Sequence, residues 1–326
     1  MGGTLGIKGE KNNMSMDNKI YYYLDQVEKL NKGEFVAPVS CEIDPSNSCN
    51  LKCNFCMWGE WRKDHHEHLD LDLYISLLGD LQRMGTKSIT FTGGGEPLMN
   101  PNFNLMAQMA HSLGFQIGLV TNGVLLNKVE RLENFLFIRV SLDAHNREDY
   151  INVKGRDEFV RVIENIRNGL KRNKIIGLSY VVGPQNNKDL HKVEELANHL
   201  GVSYLQIKPS YINDREEIFS DFEYPDGRVI GTKRYLAEDN VPCTIAALVG
   251  IVGANGDVYY CCQGRGVDRL VLGNLKDKSF KELWTERLKL RPNVSLCPMC
   301  RYMNYTKAYK SILEDGDLFF QHRYFL

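Results

Sequence analysis

An excess of charge of either sign is missing from this sequence: 40 Lys and Arg stand against 41 Asp and Glu. Nothing in that balance calls for nucleic acid, whose binding rests on basic side chains neutralising phosphates. A small molecule, or a peptide, is the expected substrate. Long apolar runs are missing too. Ile245 to Val252 is far short of the ~20 residues that cross a bilayer, and the first residues hold no apolar core of a secretory signal. The expectation is a cytoplasmic chain with no membrane association. Cysteine is not scarce, with nine in 326 residues. Their tight C-x3-C-x2-C and C-x2-C spacings read as metal ligation in a reducing compartment, not as disulfides. With 43% hydrophobic residues the chain can bury a core for one large domain and a smaller one.

Cys49, Cys53 and Cys56 bring three thiolates onto one loop and leave a four-iron cluster one protein ligand short. That open iron is where chemistry can take place. A structural zinc would want a fourth ligand, and no further Cys or His lies close by in sequence. About forty residues on, Ser88 to Thr92 reads as a short apolar strand running into Gly93-Gly94-Gly95-Glu96-Pro97. Glycines there let the backbone approach a ligand closely, and Glu96 brings a negative charge.

Residues 1–16 are polar and Gly-rich without periodicity and are expected to form a disordered or tag-like tail. A helix follows, with Ile20, Leu24, Val27 and Leu30 on one face. Strands are expected over Pro38–Ile43, Ser88–Thr92, Gln116–Val120, Phe137–Leu142, Ile175–Val182 and Tyr204–Ile207. Helical faces lie between them: Pro101 to Leu113, stopped by Gly114; Phe159, Val162, Ile163, Ile166 and Leu170; and Leu190 to Leu200, stopped by Gly201. Six βα units imply a parallel sheet, open or closed into a partial barrel.

The Cys loop with Phe55 before its last Cys, and the Gly-rich motif one βα unit later, resemble the radical S-adenosylmethionine (SAM) superfamily. The resemblance implies an α/β fold, a partial (βα)6 TIM-like barrel over 17–210, with the active site at the C-terminal strand ends. It implies that the open iron chelates SAM, that an external donor such as flavodoxin or ferredoxin supplies an electron, and that a 5′-deoxyadenosyl radical results. By the same resemblance Phe55, Gly94, Gly95, Glu96, Pro97, Asn122, Ser141 and Asp143 are expected around SAM. The apolar-rich motif that many members carry after the fifth strand is not recognisable in Val181-Val-Gly-Pro184.

Residues 211–240 are charged, carry the turn signal Pro225-Asp-Gly227, and are expected to be a linker or lid. Beyond it, Gly256-Asp-Val-Tyr-Tyr-Cys261-Cys262, Leu272-Gly-Asn274, Trp284 and Cys297-Pro-Met-Cys300 resemble the SPASM/Twitch auxiliary cluster module, placed at 241–302 as a small α+β unit, with a C-terminal helix and tail over 303–326. Ser279 and Glu282 form a capping box before its helix. A full SPASM domain uses about seven cysteines, and five stand here, so one Twitch-type cluster on Cys243, Cys261, Cys297 and Cys300 is expected. Cys262 competes with Cys261, because neighbours on a strand face opposite ways. A zinc knuckle or a thioredoxin-like pair are the rival readings of the C-x2-C.

The triplet His65, His66 and His68 reads as a polar loop and Cys41 as a small buried hydrophobe. Arg139 reads as a barrel residue, and Tyr180 and Lys208 as substrate-facing catalytic candidates. Two [4Fe-4S] clusters and SAM point to hydrogen abstraction from a small hydroxylated, sugar- or cyclitol-like substrate. A fully Cys-ligated second cluster suits taking an electron, which favours net oxidation, as in the aminocyclitol dehydrogenases whose Cys-x17-Cys spacing recurs between Cys243 and Cys261. The missing C-terminal Gly-Gly argues against the molybdenum-cofactor GTP cyclases. A peptide maturase is the alternative enzyme; it would carry a leader-binding domain of about 80 residues, for which the stretch before Cys49 is too short. A non-catalytic iron–sulfur carrier or sensor would need neither the Gly-rich rim nor a barrel.

Overall fold

The computed structural model describes residues 22–173, 175–183, 186–210 and 245–287, with residue 20 and short strands at 4–6, 222–223 and 229–230. Six parallel strands carry the fold: β2 (Ser40–Ile43), β3 (Ser88–Phe91), β4 (Gln116–Thr121), β5 (Phe135–Ser141), β6 (Ile176–Val182) and β7 (Tyr204–Pro209). They pair in sequence order, and the sheet does not close. β1 (Thr4–Gly6) instead pairs antiparallel with β7 at Thr4↔Gln206, so the expected unstructured tail is corrected for these three residues: an open sheet edge offers free backbone groups to any nearby segment. β8 (Phe222–Glu223) and β9 (Val229–Ile230) form a separate antiparallel pair about the Pro225-Asp-Gly227 signal.

At the other edge the C-terminal residues extend the barrel sheet. β10 (Val249–Val252) pairs parallel with β2, and β11 (Asp257–Tyr259) and β12 (Val271–Asn274) follow antiparallel, giving ten strands in one sheet.

Each strand's alternation sets its faces. Ile43, Phe91, Leu119, Val140, Leu178 and Leu205 are buried against the helical layer, each contributing roughly 1.5–3 kcal/mol of transfer free energy. That layer holds α1 (Leu24–Asn31), α2 (Leu71–Met84), α3 (Phe103–Ser112), α4 (Arg147–Lys154), α5 (Phe159–Leu170), α6 (Leu190–Leu200) and α7 (Phe280–Arg287). Gly114 and Gly201 end α3 and α6 as expected, with φ of 87° and 69°. α4 is an unexpected element, capped by Asn146, whose Oδ1 accepts from Asp149 N at 2.9 Å. The Ser279–Glu282 box closes as expected, with Ser279 N donating to Glu282 Oε2 at 2.9 Å. α7 docks by Trp284, whose Nε1 donates to Val36 O at 2.8 Å.

The opposite faces line the barrel interior. Phe137 and Tyr204 fill its lower part, their rings lying where Cβ atoms on Gly118 and Gly177 would be. Only residues without side chains leave that room.

Candidate functional site

All the motif loops leave the C-terminal ends of neighbouring strands and meet on one rim. Cys49, Cys53 and Cys56 are partly buried. Burial pushes the Cys53 thiol up to about 11, with the other two thiols adding to the rise and Lys154 opposing it. Burial, then Glu96, raises Cys49 as well. Cationic and amide donors reach the sulfurs: Arg62 Nη2 lies 3.3 Å from Cys56 Sγ, and Asn122 Nδ2 lies 3.9 Å from Cys49 Sγ.

The Gly-rich rim packs against the Cys loop. A Cβ on Gly95 would run into the carbonyl oxygens of Asn47 and Ser48. The close approach expected toward a ligand is therefore an approach between two stretches of backbone. Glu96 is 2% exposed. Its Oε1 accepts from Thr121 Oγ1 at 2.6 Å and from Leu98 N at 3.3 Å, and its Oε2 accepts from Asn122 N at 2.7 Å. Pro97 opens the short turn that Glu96 caps. Asn122, held in this way, passes its side chain to Asn50 Oδ1 at 2.7 Å. Glu96 thus ties the β4 loop to the Cys loop.

Burial pushes Glu96 up to about 7 from an ordinary 4.5, against the donors Asn122, Thr121 and Leu98. Between these values the unfolded chain gives up the proton while the folded chain keeps it, so stability falls as pH rises through the window and levels off above it. Glu96→Gln is expected to remove this slope. Relative to the parent protein the variant should gain about 1–3 kcal/mol between pH 5 and 8, measured by denaturant unfolding under anaerobic conditions. A stability difference that does not change over that range would show that Glu96 titrates normally.

Ser141 Oγ and Ser179 Oγ lie 3.2 Å apart on the interior face. Lys208 shares that face through its alternation with Tyr204, whose ring covers Gly177. Tyr180 does not, which corrects the expectation that it faces substrate: it is 2% exposed on the helix side and its hydroxyl donates to Asn186 O at 3.3 Å. Asp143 has φ 56°, a left-handed conformation that Asp tolerates better than most residues. Its carboxylate is already engaged, accepting from Val181 N at 2.7 Å and pairing with buried Lys154. Burial opposes the Lys154 charge, but Asp143 and Cys53 hold its pKa above the usual lysine value.

Sequence reasoning missed Lys154, although its place at the end of α4 is instructive: Lys52 N donates to Lys154 O at 3.0 Å, and Lys154 Nζ stands 5.3 Å from the Phe55 ring. It also missed Asp44, Asn47, Arg62 and Thr121. Cys41 is fully buried, as expected, and the histidine triplet is a polar loop in which His65 stacks on Trp61 at 4.3 Å.

In the C-terminal unit β11 ends at Tyr259, so Cys261 and Cys262 occupy the turn after it and not the strand itself. They still part company: Cys262 is buried with Ile251 and Tyr259, while Cys261 packs partly exposed beside Tyr260 and Leu270. Cys243, Cys297 and Cys300, most of the linker and the tail after 287 lie outside the described residues. Among the described residues no helix is long and apolar enough to cross a membrane.

The model of the radical SAM superfamily matches residues 43–197, and that of the SPASM iron-sulfur cluster-binding domain matches residues 243–306. The chain belongs to the radical SAM superfamily and carries a C-terminal SPASM domain. It is 28% identical over 292 residues to a tungsten-containing aldehyde ferredoxin oxidoreductase cofactor-modifying protein of Pyrococcus furiosus, covering 74% of this chain and 80% of that protein. It is 30% identical over 177 residues to a "Probable GTP 3',8-cyclase" of Saccharolobus islandicus, covering 51% of this chain. That match spans about half of the cyclase, 54%. Among solved structures, native anSMEcpe with bound AdoMet superposes with TM-score 0.61 at 20% identity, over 85% of this chain and 96% of that one. Streptococcus suis SuiB bound to S-adenosylmethionine gives 0.58 at 15%, over 82% and 68%. These two share the fold. The chain is a radical SAM enzyme whose cofactors are SAM and iron–sulfur clusters.

Proposed function

We propose that the enzyme oxidises a small hydroxylated molecule at the barrel mouth, with Cys49, Cys53 and Cys56 holding the SAM-binding cluster and Cys243, Cys261, Cys297 and Cys300 an auxiliary one. The observation that carries this reading is the joint between the two units: β10 pairs directly with β2, the strand that feeds the Cys loop, and the turn after Cys262 lies against that loop, with Arg265 over the Trp58 ring at 5.5 Å. An electron acceptor held by that turn would stand close to the Cys loop of the barrel.

The donor set fits the group. Three partly buried thiols share one loop, and burial raises the pKa of two of them, Cys49 and Cys53, so that these two are poor nucleophiles until a bound cationic cluster deprotonates them. When bound, SAM and its cluster supply a carbon-centred radical that removes a hydrogen atom. The chain's own residues place and shield. Asn122 and Ser141 offer polar contacts at the rim, while Glu96 and Asp143, both internally bonded, act as positioning residues behind it. Lys208 is the interior side chain for polar substrate contact, and the rings of Phe137 and Tyr204 close the lower interior to water. Oxidation of a carbinol there would give one hydrogen atom to that radical, one electron to the auxiliary site and one proton to solvent, leaving a carbonyl. The Pyrococcus furiosus relative, which by its name modifies a cofactor, supports a small-molecule substrate over a peptide.

The test supplies cyclitols, amino sugars and short peptides to the reduced, reconstituted enzyme. Formation of 5′-deoxyadenosine in step with a product two hydrogens lighter is expected for an alcohol. A product at the substrate's oxidation level, with SAM regenerated, overturns the oxidation reading.

A further inference from the structure

Arg265 lies in the turn that follows Cys261 and Cys262 and is 4% exposed. Its guanidinium is used on three sides. Nε and Nη2 take the two oxygens of Asp44, with Nη2 to Oδ1 at 2.8 Å; Nη1 donates to Cys262 O at 2.8 Å; and Nη2 also lies 3.4 Å from Glu42 Oε2. The plane stands over Trp58, and neighbouring Gly266 leaves no room for a side chain beside Trp61. Asp44, 1% exposed at the end of β2, accepts in addition from Gly94 N at 3.2 Å. One side chain of the C-terminal unit thus reaches its own cysteine turn, the Cys loop of the barrel and, through one carboxylate, the Gly-rich rim.

We propose that Arg265 is a positioning residue that couples the two cluster sites, fixing the Cys261–Cys262 turn against the barrel and setting the Gly94 amide through Asp44. The inference rests on the two-site reading above. An arginine is required because a planar fork can grip both carboxylate oxygens and still aim a third donor at the Cys262 carbonyl; an ammonium cannot. A buried pair is by itself a weak source of stability. The test therefore separates stability from placement.

Arg265→Met, Arg265→Lys and the double variant Asp44→Asn/Arg265→Met are compared with the parent as full-length, anaerobically reconstituted protein. Iron content, amide hydrogen exchange, unfolding midpoint and SAM affinity are measured. Arg265→Met is expected to bind iron like the parent while exchange rises at least tenfold in two separate segments, the peptide holding Gly94 and the peptide 261–266, and SAM affinity falls about tenfold. Arg265→Lys should recover only part of this. The double variant, which leaves no charge at position 44 and only the partly exposed Glu42 nearby, should regain the unfolding midpoint but not the exchange protection or the SAM affinity, and it carries the test if the single variant does not fold. Parent-like exchange in either segment of Arg265→Met, or full recovery in the double variant, overturns the proposal. Parent protein holding only about four irons would overturn the two-cluster reading, while the exchange data still decide the role of Arg265.

Discussion

Replacing Cys49, Cys53 and Cys56 together by alanine is expected to abolish reductive SAM cleavage and to lower iron from about eight atoms per chain to about four. The thiols are partly buried: Arg62, Asn122 and the Leu51 amide reach the sulfurs, and Cys49 and Cys53 pack at the edge of the core. The Cys-loop backbone is braced independently, by Asn54 N to Val153 O at 3.0 Å and Asn47 N to Glu67 O at 2.8 Å. Folding should therefore survive the loss of three sulfurs, and an unchanged circular dichroism spectrum is the control. Iron that stays at about eight in the triple variant would remove these residues from the ligand set. About four irons in the parent, or one tightly bound zinc, would show that the C-terminal cysteines hold no cluster.

Much of this site was legible because its chemistry needs particular residue types at short spacing. Three thiolates on one loop, a Gly-Gly-Gly-Glu turn one βα unit later and a capping box before Trp284 are local patterns, and a parallel sheet follows from alternating apolar runs. What escaped was set by tertiary pairing. Lys154 ends a helix that no sequence signal announced, and only the fold stacks it behind Phe55 and against Asp143. Arg265 and Asp44 are 221 positions apart, and no periodicity connects them. Tyr180 was placed in substrate space because a strand's alternation has two phases; Ser141 against Ser179 fixes which phase faces inward. Glu96 and Asp143 were found by motif, but their roles were not. Both carboxylates turn inward to backbone amides and buried partners, and a sequence does not show which donors will be left for a carboxylate to meet. β10 was read as an apolar run, and only the free edge of β2 made it part of the barrel sheet.

The two adjacent cysteines of the C-terminal unit should separate the chemistry into its halves. Cys261→Ala is expected to keep forming 5′-deoxyadenosine with substrate yet to lose the oxidised product, because hydrogen abstraction comes first and needs only the barrel site. Cys262→Ala should leave product formation and iron content near the parent's. Its sulfur sits among Ile251 and Tyr259 at 4% exposure, so the cost is a small cavity, on the order of 1 kcal/mol of stability. Cys261 lies on the other side of the turn with Tyr260 and Leu270, where an unsealed sulfur can meet ligands arriving from elsewhere in the chain. Quantifying 5′-deoxyadenosine and product together over a single turnover distinguishes these outcomes. Normal product from Cys261→Ala would reduce the second site to a structural role and end the oxidation reading; loss of product from Cys262→Ala instead would exchange the roles of the two cysteines and leave that reading in place.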